Sequence, residues 1–308
     1  MFADYSMSEL GAIFAMQGFA GLILFSVFVL MALGLAIIFG QMGVINMAHG
    51  EFMILGAYVT YLTSNFFGDY IPALFGMYFF VAMFLAFLAS GALGLFVEWA
   101  LIRHLYKRPL DTLLATWGLS LILQQIYRSV FGAREVGVTI PDWMMGSLPL
   151  TDLIEVPING IFVMVLAVSI SIAVYVMMFR STWGKQVRAI NQNRVMAGAV
   201  GINTEWTDRL TFGIGCGVAG VAGSAFTMIG STGPTAGQLY IVDTFLVVVF
   251  GGTGSVLGTI ASAFSISQAQ SIMEFFLSGS MAKVLTLLTV VGILMIRPQG
   301  LFSLKLRK

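Results

Sequence analysis

The sequence predicts an all-α polytopic membrane protein with about eight to nine transmembrane helices, some of them broken. Three observations predict it. Of 308 residues, 58% are hydrophobic and 9% are charged, where a soluble domain carries about 25% charged residues. Several uncharged stretches, residues 19–39 among them, exceed the roughly 18 residues that mark a membrane span. Glycine is frequent, with 35 copies, as suits helices that pack closely inside a bilayer.

The same numbers exclude other classes. A net charge of +1 gives no case for nucleic-acid binding. Cys216 is the only cysteine and lies in an apolar segment, so it reads as a small packing residue, and no His/Cys cluster suggests a metal. The start, MFADYSMSEL, lacks the basic region of a signal peptide. No segment is polar and long enough for an ATP-binding domain, no GxxxxGK[ST] loop occurs, and no nucleophile–base pair is evident. The chain therefore reads as one transmembrane domain over 1–308, not an enzyme, with no cofactor and no catalytic or metal-binding residues of its own.

Nine stretches have the character of spans: 18–40, 50–66, 73–99, 112–128, 158–179, 210–229, 240–250, 256–273 and 283–296. The first is uncharged. Asn65 to Asp69 and Pro72 mark the turn after the second. The third ends at Glu98, which is placed to snorkel or pair. The fourth carries Gln124 and Gln125, read as helix–helix hydrogen bonds rather than ligands. Residues 131–157, with Pro141, Pro149 and Pro157, form a long loop, in which Trp143 is an interface anchor. In the sixth, Gly213 and Gly217 make a GxxxG pair. The seventh is short for a span and reads as a discontinuous helix; a re-entrant pair there would reduce the total to seven. The GGTGS turn at 251–255 separates it from the eighth.

Charge sets the orientation. Of the 15 Lys and Arg residues, three lie in 103–108, five in 180–209 and four in 297–308. Basic loops stay in the cytoplasm. Nine spans place all three clusters inside, with the N-terminus outside and the C-terminus inside.

Two regions stand out. Between Gly40 and Gly56 the chain reads GQMGVINMAHGEFMILG. Gly40, Gly43 and Gly50 loosen a helix and allow close backbone approach. Asn46, His49 and Glu51 are costly in hydrocarbon and so face protein, water or the interface. A broken polar segment at membrane depth is tolerated where it is buried in protein or lines a cavity. If the segment is helical, Asn46, His49 and Met53 share a face and Glu51 points nearly opposite. These four residues are the candidates for the substrate path, against a reading in which they only bond neighbouring backbone. Asp243 and Glu274 are weaker candidates, near span ends. The second region, 180–209, mixes Arg180, Lys185, Arg188, Arg194 and Arg209 with Trp183, Val187, Ile190, Val195, Met196, Val200 and Ile202. That mixture suits a short amphipathic helix lying on lipid or docked on a partner, with Gly184, Gly198 and Gly201 as turn positions.

The run Gly40 to Tyr58, the loop RSTWGKQVRAINQNRVMAGAVGIN (Arg180 to Asn203) and VVVFGGTGSVLGTI (Val247 to Ile260) together resemble permease subunits of the branched-chain amino acid type of ABC importer. RPLDTLLATWGLSLILQQIYRSVFGA, Arg108 to Ala133, resembles the first permease subunit of the family's urea branch, although the extra N-terminal region common there is absent. The resemblance implies eight spans, which would put both chain ends on one side, against the charge rule. It implies a bacterial inner-membrane importer for urea or short amides, or alternatively for branched-chain amino acids; a self-contained small-solute channel is the other class in play. The implied partners are a related second permease subunit, two ATPase subunits that bind ATP and Mg, a periplasmic substrate-binding protein and membrane lipid. By the same resemblance the cytoplasmic loop is the ATPase coupling site: Gly184 ends the entering helix, Arg188 and Arg194 face the ATPase, and Ala189, Asn191 and Gly198 complete the contact.

Overall fold

The computed structural model describes residues 7–106, 108–151, 153–252, 254–297 and 300. Residues 1–6, Lys107, Asp152, Thr253, 298–299 and 301–308 lie outside the described residues.

Seven of the nine stretches fall within single helices; 73–99 begins in a 3-10 turn (Pro72–Met77) before its helix, and 210–229 ends in the turn after Phe226. In chain order the helices are α1 (Met7–Met42), α2 (His49–Tyr70), α3 (Tyr78–Ala100), α4 (Pro109–Phe131) and α5 (Ile158–Arg180). Then come two short helices, α6 (Thr182–Gln192) and α7 (Arg194–Ala199), followed by α8 (Thr204–Phe226), α9 (Ala236–Gly251), α10 (Val256–Phe276) and α11 (Gly279–Ile296). A helix satisfies every interior backbone group itself, which hydrocarbon demands. The stretches Ser8–Met42, Pro72–His104, Ile158–Arg180, Thr204–Phe226 and Gly279–Ile296 are long and apolar enough to cross a membrane. The helices α2, α4 and α10 have 22, 23 and 21 residues but more polar side chains, and α9 has only 16.

Polar caps explain several bounds. The sixth stretch begins earlier than expected because Asn203 accepts from the Trp206 amide, a side-chain N-cap. Ser255 caps α10 through the Gly258 amide. Pro109 opens α4 in the first turn, where its missing N–H costs nothing. The all-α expectation holds for the bundle, and one stretch expected as loop departs from it. Residues 147–157, expected as loop, hold a β-hairpin in which β1 (Ser147–Thr151) pairs antiparallel with β2 (Ile154–Pro157). Leu148 opposite Val156 marks its register. Trp143, nearby, stacks on Phe80 and donates to the Gly76 carbonyl.

The centre of the bundle is α1. Val27 to Leu33 are all at or below 1% exposure, as expected of a helix that is hydrophobic all round. It packs against α8, α10, α5 and α9. The closest pairing joins α3 and α8 through small residues. Gly213 lies against Leu95, Gly217 against Phe87, and Gly94 against Cys216. A β-carbon at Gly94 would lie 2.7 Å from that of Cys216, so the thiol is buried packing. Where lipid tails are as apolar as the helices, such close approach supplies the association energy.

Candidate functional site

Helix α1 does not continue into α2. Gly43 takes φ +67°, a conformation open to glycine at no steric cost, and residues 43–46 have no helical structure. The broken strand of chain is sutured to α4. Thr116 Oγ1 accepts from the Met47 amide at 3.1 Å and donates to the Ile45 carbonyl at 3.4 Å. Asn46 Oδ1 accepts from the Ala48 amide at 3.1 Å. Backbone groups freed by the break are thereby paired inside the protein, as a bilayer requires.

The structure corrects one expectation here. Asn46 precedes α2, so it shares no helical face with His49 and Met53. The turn at Met47–Ala48 intervenes, and each polar residue then finds its own neighbour. His49 Nε2 donates to the Met31 carbonyl of α1 at 3.2 Å, which fixes its tautomer. Glu51 faces α4: its Oε1 accepts from Ser120 Oγ at 3.0 Å and Gln124 Nε2 at 2.8 Å, and its carbonyl accepts from Tyr127. Met53 lies against Gly223 of α8 through its carbonyl. All four candidates are fully buried. Glu51 Oε2, His49 Nδ1 and Asn46 Nδ2 have no hydrogen-bond partner among the described residues.

Glycines make this arrangement possible. A β-carbon on Gly50 would collide with the Gly237 carbonyl, and one on Gly237 would lie 3.1 Å from Glu51 Oε1. The first turns of α2 and α9 therefore meet backbone to backbone. Gly34 opens the same space beside the His49 ring. The partners on α4 carry a signal in their spacing. Thr112, Thr116, Ser120 and Gln124 recur at a four-residue spacing and are buried on one face. Gln124 is a helix–helix hydrogen bond, as expected.

The second region is two helices, not one, because Asn193 breaks it and caps α7 through the Met196 amide. Gly184 does not end the entering helix. That helix ends at Arg180, Ser181 caps α6, and Gly184 sits in the first turn of α6 against the Met178 carbonyl. Arg188 donates to the same carbonyl and lies over the Phe179 ring at 5.3 Å. Arg194 pairs with buried Asp208 at 2.5 Å and covers the Tyr106 ring at 5.1 Å. Both arginines thus have partners within the chain. Asn191 donates to the Gly40 carbonyl at 3.3 Å, which ties α6 to the start of the broken segment. Ala189 is half-buried and Gly198 exposed. Val195, Met196 and Val200 are 84%, 63% and 75% exposed.

An ionic network lies beneath these helices. Glu98 accepts from Arg209 at 3.2 Å and from Tyr106 at 2.6 Å. Burial, and then the bond to Glu98, push the Tyr106 phenol well above its usual range. Elsewhere Asp243 pairs with Lys283 at 2.6 Å. No group of three or more His, Cys, Asp or Glu residues able to hold a metal occurs among the described residues.

Comparison with known proteins agrees with this architecture. A family model described as branched-chain amino acid transport system / permease component matches residues 18–295. The chain is 28% identical over 316 aligned positions to the high-affinity branched-chain amino acid transport system permease protein LivH of Salmonella typhimurium, with 96% of this chain and 98% of the relative covered. It is 26% identical over 300 positions to BraD of Pseudomonas aeruginosa, covering 92% and 94%. It is 26% identical over 320 positions to a probable branched-chain amino acid transport permease protein LivH of Methanocaldococcus jannaschii, covering 98% and 96%. No solved structure matches.

Proposed function

The chain belongs to the family of branched-chain amino acid transport permease components, and from that premise we propose that it is the permease of an ATP-driven importer of branched-chain amino acids. As a family member it is a multi-pass protein of the inner membrane and a transport component rather than an enzyme. The observation that carries the substrate is the full-length match to relatives named for branched-chain amino acid transport. It replaces urea, whose support was the single stretch Arg108–Ala133. Gln124 of that stretch has a structural use, since it holds Glu51.

The geometry supports a mechanism. A related second permease would complete the path, a binding protein would deliver the solute outside, and two ATPase subunits would dock inside. Exposed Val195, Met196 and Val200 on the α6–α7 unit offer the ATPase an apolar surface rimmed by basic residues. Closure of the ATPase dimer pushes on this unit. Asn191 passes the motion to Gly40, and Gly43 lets the segment before α2 swing. Asn46, His49, Glu51 and Met53 then move together at mid-membrane, where α2 meets α9. Gly184 and Arg188 keep α6 locked to the end of α5, so the unit moves as a lever rather than unravelling.

Radiolabelled leucine and urea uptake into vesicles holding the reconstituted complex tests this. Leucine uptake that needs internal ATP and the binding protein is expected, with urea excluded. Urea uptake without leucine uptake would return the chain to the urea branch. Flux through this subunit alone, without ATP, would make it a channel.

A further inference from the structure

Away from the α2 break, a pocket of about 290 Å³ opens between α1, α9, α10 and α11. Its size is at the low end for ligand sites, which run from about 300 Å³ for drug-sized molecules, so it suits a small solute. One wall is charged, with Asp243, Glu274 and Lys283, and the other is apolar, with Leu24, Phe28 and the ring of Tyr240. We propose that this pocket is a binding subsite for a zwitterionic aliphatic amino acid, entered from the outer side of the membrane; the substrate class rests on the function proposed above.

Charge and donor accounting carry the assignment. Lys283 Nζ donates to Asp243 at 2.6 Å and to the Leu239 carbonyl at 3.1 Å. An ammonium has three donors, so one remains for a carboxylate. Glu274 accepts from Gln270 at 3.0 Å, yet among the described residues it forms no ion pair. The wall thus holds two carboxylates and one ammonium. An amino acid placed here sets its α-ammonium at Glu274 and its carboxylate at Lys283, while its side chain lies on Leu24 and Phe28. Urea has no charge to offer either group.

Position agrees. With the basic loops inside, α10 ends and α11 begins on the outer side, which places Glu274 in the last turn of α10 and Lys283 in the second turn of α11 near that surface, while α9 begins deeper, where its first turn meets α2. Lys283 is 38% exposed at the side chain while Asp243 is 7%, so the pair borders an opening. A charged opening on a spanning helix is expensive against lipid. It therefore faces water or protein rather than acyl chains.

Tritiated leucine binding to the purified complex in nanodiscs tests the site. Wild type is expected to bind. Glu274→Gln, which keeps the Gln270 hydrogen bond, is expected to weaken binding by roughly tenfold or more, the loss typical of a charged hydrogen bond. Leu24→Phe narrows the apolar end and is expected to shift preference from leucine toward valine. The swap Asp243→Lys with Lys283→Asp keeps the ion pair and the thermal midpoint but is expected not to bind. Leucine affinity within about twofold of wild type in Glu274→Gln, an unchanged leucine-to-valine ratio in Leu24→Phe, or binding restored in the swap overturns the site. ATP-driven leucine uptake with no binding change in any variant defeats the subsite alone. Urea uptake in place of leucine uptake defeats the functional reading beneath it.

Discussion

The entrance of α2 and the rim beneath α6 and α7 hold buried carboxylates in opposite ways. At the rim, Asp208 and Glu98 each meet an arginine, and those arginines keep part of their side chains exposed. Arg194 and Arg209 thereby neutralise charge inside while staying partly hydrated, as long basic side chains do at an interface. At the entrance, Glu51 has no cation among the described residues. Its neighbours Ser120 and Gln124 are neutral donors on the adjacent helix. A rim ion pair is an anchor, because separating it leaves a buried charge unpaired. A carboxylate held by neutral donors exchanges partners at lower cost, which suits a segment that must move during transport.

The largest effect is expected where neither device operates and backbone meets backbone. Gly56 touches the Gly220 carbonyl, and Gly223 the Met53 carbonyl. Gly56→Leu would drive α2 from α8, at a cost on the order of 3 kcal/mol or more for an overpacked contact that cannot relax. Leucine uptake and the yield of assembled complex should both be lost. Retained uptake would show that the two helices do not need this approach. Next is Arg194→Ala, which strands Asp208. Breaking a fully buried pair costs about 3–5 kcal/mol; because Arg194 is half-exposed, roughly 1–3 kcal/mol is expected once solvent screening is allowed for. The double variant with Asp208→Asn should recover part of that loss in thermal unfolding, and strict additivity would count against an anchoring pair.

At the entrance, Glu51→Ala leaves Ser120 and Gln124 without their acceptor and should destabilise by about 1–3 kcal/mol. Glu51→Gln keeps an acceptor for Gln124 and should cost less than about 1 kcal/mol. Equal losses would mean that the charge itself holds α2, as at the rim. The smallest effect belongs to Gly198→Ala. Nothing lies within 4 Å of the added methyl, and removing a helical glycine should leave stability unchanged or raise it by up to about 1 kcal/mol. A fall in ATP-driven uptake with unchanged unfolding would place an ATPase contact at that residue.

Much of the fold was legible because its signals are local. An uncharged run such as 18–40 has one outcome in hydrocarbon, and the Gly40–Gly56 stretch announces a break by its glycines and polar residues. The hairpin at 147–157 was not legible. Its Pro149 and Pro157 read as loop, and pairing with a neighbouring strand decided otherwise. The candidate site was half legible. Glu51 and Gln124 were singled out separately, but their pairing and the part of Ser120 were not, although Thr112, Thr116, Ser120 and Gln124 carry the spacing. That Gly184 lies inside α6 followed from Ser181 serving as a cap, a choice made by the turn after Arg180.

By itself, the sequence determined that the chain fills a bilayer with helices, where the chain breaks, and which loops carry the basic charge. These follow from hydropathy and charge along short windows, where the solvent imposes the answer. Only the tertiary structure decided what meets what. Glu51 reaches Ser120 and Gln124, 69 and 73 positions away, and Glu98 reaches Arg209 across 111. Gly50 meets Gly237 because both lack a side chain and both begin a helix. A buried polar group must find a partner somewhere, but which helix supplies it depends on how the whole bundle packs.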